Sequence, residues 1–166
     1  MVFSLKHTGE AGKSSDYYVI YDLTSGRALP FSIFSPTTDK IKTCITRGSS
    51  FGVKYNEVSF TDTANAWMDE AVKFMDSRDV INGIGNNLFN HKANMTRRDS
   101  VLMSMRLFGH DVDPADISDQ EYYAKAWALA SEKGLLENIG EGEGKYHPGR
   151  DVLNCGQADG GIQHVA

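Results

Sequence analysis

The sequence predicts an α+β protein, with an N-terminal antiparallel β segment followed by α-helical repeats. Three observations predict it. Aromatic and β-branched runs broken by turn residues fill the first third of the chain. Apolar residues recur at helical spacing after Val58. The helical part also contains two related stretches, separated by about fifty-odd residues, just past the usual repeat lengths.

The β segment covers residues 1–58 and reads as the end of a larger β domain. DYYVIYDL opens it, and the breaker TSG follows. Then come LPFSIFS, the turn PTTD, KIKTCIT, the turn RGSS and FGVKYNEV. This punctuation predicts a small antiparallel meander of three or four strands. So small a sheet needs something to cover it.

In the next stretch, Trp67, Ala71, Val72, Phe74 and Met75 fall on one face of a helix. On such a face Trp67 is expected in the core. Residues 79–95 read as loop, with Gly83 and Gly85 in INGIGNN supplying tight turns. A second helix starts near Thr96 in NMTRRDSVLMSMR, with Val101, Leu102, Met105 and Phe108 at helical spacing. HDVDPAD reads as a linker, EYYAKAWALASEKG as a third helix, and IGEGEGKYHPG as a Gly-rich loop.

The two stretches align. Phe60-x-Asp62 matches Ile117-x-Asp119, Ala71 matches Ala126, Ile84-Gly85 matches Ile139-Gly140, and Phe89 matches Tyr146. This gives one repeat over 59–110, a truncated second over 111–153, and an aberrant tail over 154–166. The tail, from LNCGQADGGIQHVA, has neither an apolar stripe nor an arginine, which suggests a reading frame lost near Leu153. Repeats of this kind bury their apolar faces on one another.

Composition narrows the function. The formal net charge of -5 argues against wholesale nucleic-acid binding, which needs a basic surface. No apolar run approaches the ~20 residues of a membrane span. The first residues, MVFSLKHTGEAGKSS, do not read as a secretory signal. Cys44 and Cys155 show no metal or redox spacing. GEGEGK lacks the Ser/Thr of a phosphate loop, and Glu141 and Glu143 would repel phosphate. DVDPADISD has Asp116 where a calcium loop needs Gly. No cofactor, metal or catalytic constellation is expected.

The most informative residues lie in Thr96-Arg97-Arg98-Asp99. Thr96-x-x-Asp99 has the form of a capping box. Arg97 and Arg98 sit in the first turn, where the helix dipole disfavours cations. An anion would cancel that penalty at Arg97, because free N–H groups and a guanidinium fork together suit a carboxylate. The alternative is that Arg97 pairs with an acid such as Asp79 or is solvated. Arg98 is expected to be solvated. Asp62 either caps the first helix or meets a ligand, and capping is the plainer reading.

Phe60, Asp62, Trp67, Ala71, Gly83, Phe89 and Thr96-Arg97-Arg98-Asp99 occur in the order seen in the S-layer homology domain, which the region 60–152 resembles. His91 stands where that family usually has Pro, Arg98 replaces Ala, and Asp99 replaces Glu. The resemblance implies a non-catalytic anchor that binds secondary cell-wall polysaccharide, often through a pyruvate ketal. It implies an extracellular place, in the cell wall or S-layer of a Gram-positive-type bacterium, and hence that this chain is a fragment. Partners would be the polysaccharide, other such repeats or surface-layer subunits. Arg97, Thr96, Trp67, Asp62, Gly83 and Gly85 are the implied ligand residues. Two other roles stay open: a protein-interaction module of a surface lattice, or an appendage of an extracellular carbohydrate-active enzyme.

Overall fold

A computed structural model describes residues 1–45, 48–112 and 122–136, and the backbone of 151–152. The Gly-rich loop 139–149, most of the DVDPADISD stretch, Cys155 and the tail expected over 154–166 lie outside the described residues. The chain forms two compact units: Met1–His91 with Arg106–His110, and Lys92–Met105 with Asp111–Ala166. Strands and helices are both present, so the α+β class holds.

The first unit is built on six strands: β1 Val2–Lys6, β2 Tyr18–Asp22, β3 Arg27–Ala28, β4 Ile33–Ser35, β5 Lys40–Cys44 and β6 Phe51–Tyr55. They form two antiparallel sheets, ordered β1-β5-β4 and β3-β2-β6. This is not the expected meander. β2 pairs β3 near in sequence but takes distant β6 on its other side, in the register Tyr18↔Tyr55 to Asp22↔Phe51. β2 is buried along nearly its whole length, so both its edges need partners. β1 was not expected as a strand. VFSLK nonetheless alternates, with Phe3 and Leu5 on the less exposed face.

Tyr18, Ile20 and Ile41 make the core of this unit, with Phe3, Leu5, Leu29, Phe34, Phe51, Val53 and Tyr55 packed around them. Asp22 closes β2. Its buried carboxylate accepts the N–H groups of Thr24 at 2.9 Å and Ser25 at 3.3 Å, and the Ser49 hydroxyl. Burial alone would raise its pKa, but these bonds outweigh it and hold the carboxyl at about 2.

Helix α1 spans Asp69–Asp76 and packs against the Ser15–Tyr17 turn that leads into β2. The Tyr17 hydroxyl donates to Glu70 at 2.8 Å, and the Asp79 carboxylate accepts the Ala28 N–H at 2.7 Å. Asp69 and Glu70 lie in the first turn of α1, where the dipole favours them. Val72 is its buried residue.

The second unit holds β7 Met95–Thr96, most of α2 Arg97–Leu107, α3 Ala124–Glu132 and β8 Asp151–Val152, which pairs antiparallel with β7. Its core is Leu102, Met105, Val112, Ala126 and Ala130. Ala126 and Ala130 lie four apart on one face of α3, and both pack into this core.

Candidate ligand-binding site

In the first unit Asp62, Gly83 and Gly85 meet at the loop that follows Ile81, and among the described residues no contact brings Trp67 to it. Gly85-Asn86-Asn87-Leu88 is a tight turn, closed by the Leu88 N–H donating to Gly85 O at 3.0 Å. Asn86 and Asn87 both have positive φ, 51° and 59°, the signature of a type I′ turn. Gly85 precedes them at φ 94°, a conformation suited to glycine. Gly83 serves differently. Its φ is ordinary, but a Cβ there would lie 2.4 Å from the Phe60 ring and 2.7 Å from Leu88 O. The tight turn expected at Gly83 is thus a close-packing position instead.

Asp62 does not cap α1. Its carboxylate accepts the N–H groups of Phe89 at 2.8 Å and Asn90 at 2.6 Å, 27 and 28 residues away. The Phe89 N–H is the main reason the carboxyl sits below its ordinary pKa, since a charged acceptor is favoured there. α1 has no side-chain cap bond at Met68; the Thr63 hydroxyl donates to Asp69 at 2.7 Å instead. The core position expected for Trp67 is also overturned. Trp67 precedes α1 rather than lying on it, and is 85% exposed. An indole so exposed gains nothing from burial and is open to a stacking partner.

In the second unit, the Asp99 N–H donates to Thr96 Oγ1 at 3.3 Å, and the Thr96 N–H donates to Asp99 Oδ2 at 3.2 Å. This reciprocal pair defines a capping box. Replacing Thr96 with Ala should cost about 1 kcal/mol in urea denaturation. An unchanged midpoint would mean the box contributes nothing. Asp99 also accepts the Tyr122 hydroxyl, so the start of α2 is tied to the residues leading into α3. Burial, and then this bond, push Tyr122 up to about 12.

Arg97 is the first residue of α2 and half-buried. Arg98 is not the solvated charge expected. Its guanidinium lies 5.5 Å from the Tyr122 ring centre and 5.6 Å from that of Tyr123, a cation–π arrangement. Tyr123 in turn meets Trp127 edge-on at 6.2 Å. Arg98 therefore has an aromatic reason to occupy the first turn, independent of any ligand.

Asp62, Trp67, Gly83 and Gly85 belong to the first unit, and Thr96, Arg97 and Asp99 to the second. Sequence reasoning missed Arg78, which holds the first unit together. It is 2% exposed and donates to Ser32 O through Nε at 3.2 Å and Nη2 at 2.9 Å. Through Nη1 it reaches Asp16 O at 2.9 Å, Phe74 O at 3.0 Å and the Ser77 hydroxyl at 2.8 Å. Burial lowers its pKa to about 10. A lone arginine between polar neighbours carries no sequence signal for such a role. Among the described residues, no group of three His, Cys, Asp or Glu is placed to hold a metal, and no helix is long and apolar enough to cross a membrane.

Residues 59–99 match the S-layer homology domain. The chain is similar to endo-1,4-beta-xylanase A of Thermoanaerobacterium saccharolyticum, at 25% identity over 57% of this chain and 9% of the relative. It is similar to exoglucanase XynX of Acetivibrio thermocellus, at 23% identity over the same shares. The chain thus spans about a tenth of the length of these curated relatives. No solved structure matches it.

Proposed function

Taking as premise that residues 59–99 are an S-layer homology domain, we propose that this chain is a non-catalytic cell-wall anchoring module for an anionic, pyruvylated secondary cell-wall polysaccharide. The family match carries the reading. Arg97 at the first position of an 11-residue helix supports the anionic part of it. There the guanidinium and the first free N–H groups favour a planar carboxylate such as that of a pyruvate ketal. Exposed Trp67 is open to stack on a sugar ring. Asp62, Gly83 and Gly85 act by shaping the loop, and Thr96 by fixing the start of α2.

The setting we propose is the wall or S-layer of a Gram-positive-type bacterium, with the chain as an accessory part of a larger extracellular protein. The names of the two relatives, a xylanase and an exoglucanase, favour a carbohydrate-active parent. Co-sedimentation with purified cell walls tests the reading. The wild type should bind. Arg97→Ala should weaken binding about tenfold or more, the value of one charge-assisted bond. Acid removal of pyruvate from the wall should have the same effect. Equal binding by the mutant and by stripped walls would refute the carboxylate contact. No binding by the folded wild type would refute anchoring by this chain.

A further inference from the structure

His91 follows directly on Phe89 and Asn90, the residues whose N–H groups Asp62 holds. Its Nδ1 is buried without a hydrogen-bond partner and lies 3.7 Å from Asp62 Oδ2. The two side chains are 22% and 21% exposed. In the neutral ring Nδ1 is either a lone pair set against the carboxylate or an uncharged donor, according to tautomer. A proton on both ring nitrogens makes Nδ1 a charged donor in every case, and a small closure then completes a charge-assisted pair. Asp62 is suited to the partner role, because the loop N–H groups keep it ionised. Among the described residues, Asp62 is the acid within ion-pair reach of the ring, and Lys92 is the cation next along the chain.

We propose that His91 and Asp62 form a proton-operated latch, in which the imidazolium pairs with the carboxylate and tightens the grip of Asp62 on the Phe89–Asn90 loop. The latch stands on the first unit alone and does not depend on what the chain binds. Its scale is modest, since a partly exposed ion pair is screened by solvent.

Amide hydrogen exchange on the full chain tests it. Exchange is compared at pH of about 7.5 and about 5.5, on either side of the ordinary histidine range. Protection of the Phe89 and Asn90 amides, corrected for intrinsic exchange, should rise about two- to fivefold over that range. His91→Gln should fold and show no such rise. Asp62→Asn should lose protection at both pH values. Protection that does not change with pH in the wild type would overturn the latch. So would a rise that survives in His91→Gln, and that variant decides the matter even if Asp62→Asn does not fold.

Discussion

Replacing Arg78 with Met should destabilise the protein by about 3–5 kcal/mol, the largest effect expected of any single change here. Methionine keeps most of the side-chain volume, so the loss is not mainly a cavity. It comes from stranded carbonyls. Ser32 O loses two donors, and Asp16 O and Phe74 O lose one each. A buried acceptor left unmade, as at Ser32 O, costs about 1–3 kcal/mol, and the part-buried Asp16 O and Phe74 O lose less. The Ser77 hydroxyl still donates to Phe74 O at 2.7 Å, which keeps the total below the simple sum. The guanidinium also lies 3.5 Å over the Phe74 ring, at the end of α1 where the dipole favours a cation. Arg78→Lys should recover only part, because one ammonium cannot span carbonyls arranged for a planar fork. Urea denaturation of the three proteins measures this. A midpoint for Arg78→Met close to wild type would mean the carbonyls find other partners.

Gly83→Ala should be the second most damaging change, at about 2–4 kcal/mol. The added methyl group has nowhere to go. On one side is the buried Phe60 ring, itself packed on Phe89 at 5.6 Å. On the other is Leu88 O, which accepts the Ile84 N–H at 2.9 Å. Moving either disturbs the turn or the core beneath it. Gly85→Ala provides the contrast. Its Cβ would meet open space, and the cost is only the left-handed backbone, about 1–2 kcal/mol. Thermal melts of both variants should rank Gly83 as the worse. The reverse order would mean the loop yields easily around Phe60.

These two residues show what a linear reading could and could not reach. Helices α2 and α3 were legible because their apolar residues repeat locally, and the Thr96/Asp99 box because its parts lie three apart. β1 was legible in principle from the alternation of VFSLK. The pairing of β2 with β6 was not, since nothing in either strand names the other. Asp62 was misread because an acid ahead of a helix usually caps it, whereas here its partners are 27 and 28 residues away. Trp67 was misread because a helical period was extended one turn too far. Gly83 was recognised as a glycine that matters, but a crowded position and a turn look alike in sequence.

The bonds that tie α1 and the residues just after it to the β segment bear on how such segments are exchanged. Tyr17 with Glu70, Ala28 with Asp79, and Ser32 with Arg78 all join residues before 58 to residues after it. A graft of residues 59–110 alone would leave behind Ser32 O and Asp16 O, two of the acceptors of Arg78, and the donors to Glu70 and Asp79. A transferable piece therefore begins with the strands, and recombination at residue 58 would cut through a shared interior rather than a hinge.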